Sequence, residues 1–201
     1  MQIHLPDKTP LLLSGPLLTT MSDDEFFGFC QQNANLRIER TATHEILIMS
    51  PTGSRSGKRN FRINLQLGKW WEQNQQLGEA FDSSTGFTLP DGSIKSPDAS
   101  WIAAEKWNSL TLEQQSRFAP VCPDFIVELA SDSDDVQELQ KKMLDWLRNG
   151  ARLAWLIAPK TETAYLYRAG QPEPEVVQGF DQELSGEDVL PGFRLRLAEL
   201  R

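Results

Sequence analysis

Histidine and cysteine are almost missing from this chain of 201 residues: two of each, His4 and His44, Cys30 and Cys122. Two cysteines supply neither a metal quartet nor a disulfide framework. Both lie beside apolar residues or proline, so free, partly buried thiols are expected. Two histidines rule out HExxH and His-rich zinc sites, and neither sits in a context that suggests a Ser-His-Asp triad. Long apolar runs are lacking too, since nothing approaches the roughly 20 residues of a membrane span. The opening "MQIHLPDKTPLLLSG" has no basic leader and an apolar run of only three leucines. It reads as mature chain rather than signal peptide, which points to a cytoplasmic protein. Positive charge is in deficit: 20 lysines and arginines against 28 aspartates and glutamates, a net charge of −8. A solvated acidic surface is the plain reading. The balance weighs against nucleic-acid binding but leaves room for a local basic groove.

What is present suffices for one core. Hydrophobic residues make up 39% of the chain, and the length suits a single domain over 1–201. No repeat, linker or low-complexity segment interrupts it. Ser22 followed by Asp23, Asp24 and Glu25 predicts a capped helix start. "LRIER" and "EILIMS" predict two strands joined by a polar turn. "PTGSRSG" reads as a loop. A long amphipathic helix follows over about 58–77, with Ile63, Leu67, Trp70 and Trp71 on one stripe and Gly78 ending it. The stretch from "EAFDSSTG" to "SPDASWIAAE" predicts a β-meander. "LTLEQQSRF" reads as a short helix capped by Thr111. "PDFIVELAS" is a buried strand, and 132–149 is a second strong helix. "RLAWLIAP" is another buried strand, and "ETAYLYR" is a strand with one wet face. "GEDVLPGFRLRLAEL" suggests a last short strand or turn. Strand–helix–strand from Asp124 to Ile157 is a crossover unit, so its strands are parallel. The class is α/β with a central mixed sheet.

Inside "PDFIVELAS" one residue breaks the apolar run. A carboxylate at Glu128 needs a partner, an exposed strand end or a cation. Asp124 shares its face but lies roughly 13 Å away along the strand, too far to share a metal. Asp98 in "SPDASWI", from a neighbouring strand, is the better companion. The helix that follows supplies a cation. Val136, Leu139, Met143, Trp146 and Leu147 define its apolar stripe, with Lys142 at the stripe's edge and Lys141 on the solvent side. Lys142 can lay its stem along apolar surface and bring its amine toward a strand end. Two acids and a lysine suit phosphodiester chemistry: the carboxylates hold Mg²⁺ and the lysine stabilises developing negative charge. The residues equally fit a plain Glu128–Lys142 pair or a solvated strand end. Trp70, Trp71, Trp146 and Trp155 read as core, while Trp101 and Trp107 either pack or, if exposed, stack on a base.

"SPDASWI", "CPDFIVELAS" and "ELQKKMLDWLRNGARLAWLIAP" together resemble the Uma-two family of restriction-endonuclease-like proteins, within the PD-(D/E)XK nuclease superfamily. "IERTATHEILIMSPTG" and "FDSSTGFTLPDGSIKSPD" fit it as well, and the resemblance covers about 38–168. It implies a restriction-endonuclease-like fold, a central mixed β-sheet flanked by helices, with an N-terminal helix and β-hairpin added. It implies an Mg²⁺- or Mn²⁺-dependent endonuclease acting on DNA, with Asp98 and Glu128 as metal ligands and Lys142 as the third catalytic residue. The family pattern puts a lysine two residues after the acid, where this chain has Ala130; Lys142 on the following helix takes its place. Asp124 is read as a strand-start residue. Glu39 and Glu45 are candidate accessory acids. Arg55, Lys58 and Arg59 form a basic group that could meet phosphate, placed against the dipole of a helix start. Cutting two strands implies a homodimer. The alternative is a catalytically inactive scaffold of the same fold that binds or regulates a partner, which the net charge and Ala130 favour.

Overall fold

Alternating patterns of apolar residues give way to real elements as follows. The computed structural model describes residues 10–201, so His4 and most of the opening segment lie outside the described residues. Strand β1 (Leu11–Leu13) is followed by the short helix α1 (Pro16–Thr19), α2 (Asp23–Gln32), β2 (Arg37–Arg40) and β3 (Ile46–Met49). Then come α3 (Ser54–Glu72), β4 (Gly78–Asp82), β5 (Phe87–Thr88), β6 (Ile94–Lys95), β7 (Ala99–Ala103), α4 (Ala104–Asn108) and α5 (Leu112–Gln115). The chain continues through β8 (Phe125–Leu129), α6 (Val136–Arg148), β9 (Leu153–Ala158), β10 (Thr163–Arg168), β11 (Glu175–Gln178), β12 (Glu183–Ser185) and β13 (Arg194–Arg196). These elements divide between two compact units. No helix among the described residues is long and apolar enough to cross a membrane.

The first unit takes residues up to Pro51, Gly86–Ser96 and Thr111–Val121. Its sheet runs β1-β3-β2-β6-β5. Helix α2 starts where Ser22 and Glu25 cap each other reciprocally, with three acids in the first turn, which satisfies orphan amides and the helix dipole together. Phe26, Ile38, Ile46 and Ile94 form its core. The Arg40 side chain is buried under the Phe26 ring and pairs with Asp23, while its guanidinium also donates to the carbonyls of Gly92 and Met21. α5 is capped by Thr111 through the same reciprocal bonds, here with Gln114.

The second unit holds Thr52–Thr85, Pro97–Leu110 and Cys122–Arg201. Its six strands run β11-β10-β9-β8-β7-β4. β8 and β9 are parallel and the other neighbours antiparallel, so the sheet is mixed, as the crossover predicts. Side chains alternate across it. One face carries Ala99, Trp101, Phe125, Val127 and Trp155, packed with Ile63 and Leu67 of α3 and with Phe193, Leu195 and Leu200. Trp155 and Phe193 stack at 5.8 Å. α6 packs against β8, β9 and β10, and its Trp146 reaches Glu128, which points away from the face of Val127.

Five local readings change. The helix α3 begins at Ser54, so "SRSG" is helix rather than loop; Gly53 starts it with no side-chain cap, leaving no local signal for its onset. It ends at Glu72, and Gly78 instead begins β4. A Cβ there would lie 2.1 Å from the Ile102 carbonyl and 2.7 Å from the Trp101 ring. The meander is not one. β4 pairs with β7, while β5 and β6 form a hairpin in the other sheet; turn chemistry marks the corners but does not choose partners. α6 starts at Val136, because Asp134 accepts the Ser131 amide in a preceding turn and Asp135 is the true cap. β10 is covered on both faces: Ala164 and Leu166 join the core with Val189, Leu190 and Phe193, while Thr163, Tyr165 and Tyr167 lie on the face that shares its side of the sheet with Leu156 and Glu128, against which α6 packs. Trp101 is buried, and Trp107 packs on Phe81 with ring centroids 5.1 Å apart.

Gly78→Ala is expected to lower stability by about 2 kcal/mol, the usual scale of overpacking. Urea denaturation followed by tryptophan fluorescence checks this; an unchanged midpoint would mean that β4 and β7 relax around the methyl group at no cost.

Candidate active site

The candidate site begins with strand register. Ala99 stands opposite Val127, Ser100 opposite Ile126 and Trp101 opposite Phe125. Asp98 comes just before the first of these pairs on one strand and Glu128 just after it on the other, and the Asp98 amide donates to the Val127 carbonyl at 3.0 Å. Asp98, at the bend that leads into β7, and Glu128, in β8, therefore lie at the same end of this strand pair. Both are buried, with 9% and 3% of their surface exposed.

Two carboxylates at such burial require dedicated partners. Oε1 of Glu128 accepts from Lys142 Nζ at 2.9 Å and from Trp146 Nε1 at 2.9 Å. Lys142 and Trp146 stand four residues apart on α6 and so share a face. The lysine keeps its stem against the sheet and its amine on the acid, which makes the Glu128–Lys142 pair real and removes the solvated strand end as a reading. Asp98 is held from other directions. Its Oδ2 accepts the Leu129 amide at 2.8 Å and its Oδ1 accepts from Asn60 Nδ2 at 2.8 Å. Asn64 Nδ2 donates to the Asp98 carbonyl at 3.0 Å and to Asn60 Oδ1 at 2.7 Å. Thus α3 fixes one acid and α6 the other.

Trp146, Asn60 and Asn64 carry orienting roles that the residue pattern did not reveal. Trp146 looks like any core tryptophan on an apolar stripe. The two asparagines did leave a trace, because asparagine is a poor helix former and here occurs twice, one turn apart, in a long helix.

The remaining candidates are placed elsewhere. Asp124 is buried; it pairs with Lys106 at 2.9 Å and accepts the Ala103 amide at 2.9 Å, tying α4 to the start of β8. Lys141 pairs with Glu138 on the exposed side of α6. Ala130 is buried and its amide donates to Ile157 O at 2.8 Å. Arg55 and Lys58 are exposed on α3, whereas Arg59 is buried. Arg59 donates to the Leu200 carbonyl at 2.7 Å and lies 3.6 Å from Asp132. Glu39 and Glu45 belong to the first unit. Glu39 is buried and accepts the Ser96 amide at 3.1 Å, and Glu45 accepts from Thr43 Oγ1 at 2.9 Å. The thiol of Cys30 is pushed up to about 11 by burial, which keeps it protonated and a poor nucleophile near neutral pH.

The donor set discriminates among metals. Among the described residues no three His, Cys, Asp or Glu side chains group closely enough to hold an ion, so the four-ligand cage of structural zinc is not built there. One or two carboxylates are instead what Mg²⁺ uses, since it completes its shell with water. The acids present fit Mg²⁺ or Mn²⁺ on those grounds.

Compared with known families, the chain matches over residues 23–198 the model of Uma2, described as "Putative restriction endonuclease". A similar solved structure is that of a "putative nuclease belonging to DUF820" from Anabaena variabilis. The two are 22% identical with a TM-score of 0.66, and the match covers 81% of this chain and 88% of that one. At this identity the likeness is one of fold. No curated protein matches the chain.

Removing one member of the buried pair should cost more than removing both charges. Lys142→Met is expected to lose about 3 kcal/mol, and adding Glu128→Gln should recover much of it, because the glutamine carries no charge to strand. A double variant no more stable than Lys142→Met in urea would show that the pair is not what holds α6 on the sheet.

Proposed function

The chain belongs to the Uma2 family, and on that premise we propose that it is an Mg²⁺- or Mn²⁺-dependent endonuclease hydrolysing DNA phosphodiester bonds at Asp98, Glu128 and Lys142. The observation that carries this reading is a pair of buried acids at one end of the β7–β8 pair, one of them in contact with a lysine amine. Asp98 and Glu128 would hold the metal. When bound, the ion polarises the phosphate and lowers the pKa of a coordinated water. The protein's own part is preorganisation. Asn60 and the Leu129 amide fix Asp98, and Trp146 fixes Glu128, so neither carboxylate must reorient during the reaction. Lys142 brings a positive charge to the place where negative charge develops on the phosphate. It takes the role that the superfamily pattern gives to a lysine two residues after the acid, where this chain has Ala130. Cutting both strands of a duplex takes two such sites, which a homodimer supplies.

A second reading, a scaffold that does not cleave, is favoured by Ala130 and by the Glu128–Lys142 pair, which compensates both charges without an ion. One set of assays separates the two. Purified protein with Mg²⁺ is expected to cleave plasmid DNA. Asp98→Asn and Glu128→Gln should abolish the activity, and Lys142→Ala should lower it by about 10²–10³-fold, the scale of losing one transition-state donor. Equal cleavage by all four proteins would assign the activity to a contaminant. Absence of calorimetric Mn²⁺ binding that depends on Asp98 would sink the metal-dependent reading in favour of the scaffold.

A further inference from the structure

Helix α3 is out of character with the rest of the molecule. It carries Arg55, Lys58, Arg59, Arg62 and Lys69 against a single acid, Glu72, in a chain of net charge −8. Its first turn holds no acid and no side chain caps it, whereas α2 and α6 have both. Cations near a helix N-terminus oppose its dipole, so local helix energetics do not account for them.

Around its axis, at about 100° per residue, the helix presents ordered strips. The asparagine edge, Asn60 and Asn64, holds Asp98. Moving outward, Phe61 and Leu65 follow, and they are 67% and 40% exposed. Beyond them come Lys58 and Lys69, both exposed. Arg55 continues that edge; its side chain is 73% exposed and lies 3.5 Å from Asp132. Gly57 and Gly68 fall between the asparagine edge and Phe61. A Cβ at Gly57 would meet only Thr52, at 4.0 Å, and one at Gly68 would meet nothing within 4 Å. Packing therefore does not require glycine there, although glycine weakens a helix and is typical where a ligand approaches the backbone closely. A lone exposed phenylalanine is ordinary. One flanked by cations, on the helix that positions a buried carboxylate, is not.

We propose that the outward face of α3 is a docking track for single-stranded DNA, with phosphates along Lys58, Lys69 and Arg55 and an unpaired base stacked on Phe61. The inference rests on the reading of Asp98 and Glu128 as a DNA-cleaving site and names the form of strand led to it. Charge complementarity selects a polyanion. The aromatic ring selects an unpaired strand, because base faces are available for stacking only outside the duplex. Lys58 and Lys69 are about 16 Å apart along the helix, a span of a few nucleotides.

The test is fluorescence anisotropy of the full chain with labelled oligothymidylate, and with a duplex of equal length, in EDTA so that no cleavage intervenes. Phe61→Ala should weaken single-strand binding about 10-fold, leave the duplex nearly unaffected and keep the salt dependence. Lys58→Ala and Lys69→Ala should each flatten the slope of log K against log salt by about 0.7. All three side chains are exposed, and circular dichroism checks that the variants remain folded. Unchanged oligothymidylate binding by Phe61→Ala overturns the proposal, as does equal weakening of the duplex or a preference for a ribo-oligomer. Loss of a dimer in sedimentation on Phe61→Ala overturns it as well, by making this face an interface between copies. Metal-dependent cleavage by the unaltered protein together with unaffected binding by Phe61→Ala sinks the track alone. Phe61-dependent strand binding with no cleavage under any metal sinks the nuclease reading alone.

Discussion

A carboxylate inside a fully covered strand constrains everything packed around it. Glu128 lies in β8, every residue of which is buried, and an uncompensated charge there would cost several kcal/mol. The compensation comes from a helix that must then be docked in one rotation and one axial position. Lys142 and Trp146 reach the same oxygen only if that face of α6 meets β8. The apolar stripe of α6 allows small slides along the sheet; the pair of polar contacts does not. The crossover that carries α6 from β8 to β9 is thus held at a strand end that also bears Asp98.

The second constraint is the register of β7 on β8. A shift of one residue would turn Asp98 to the opposite face of the sheet, because side chains alternate strictly. Two features oppose such a slip. The Leu129 amide binds the Asp98 carboxylate, and at the far end of the strand pair Asp124 takes the Ala103 amide and Lys106. Carboxylates therefore pin the ladder at both of its ends. One of them holds the end of β8 that carries Glu128; the other ties down a short helix. The two Pro-Asp dipeptides, Pro97–Asp98 and Pro123–Asp124, look alike as sequence and serve different ends for this reason.

Much of this was legible beforehand. The cap at Ser22, the cap at Thr111, the parallel crossover and the position of Lys142 at the stripe's edge all follow from spacing of three or four residues, which local geometry dictates. The onset of α3 was hidden, because Gly53 offers no side-chain cap and "SRSG" carries no apolar period. The pairing of β4 with β7 was hidden as well. "SSTG" and "PDG" announce turns, but the hairpin between them joins a different sheet. The wet face assigned to β10 was lost to α6, which comes earlier in the sequence and packs on that side of the sheet.

By itself the sequence determined that Glu128 needed a partner, that Lys142 rather than Lys141 faced it, and that the strands around α6 ran parallel. Those conclusions rest on helical and strand periodicity, which hold wherever the segment is placed. Only the tertiary structure decided that Asn60 and Asn64 would grip Asp98, that Trp146 would share Glu128 with the lysine, and that Arg59 would be buried while Phe61 stayed out. These are contacts between segments far apart in the chain, and they depend on how two helices seat on one sheet, which no local period encodes.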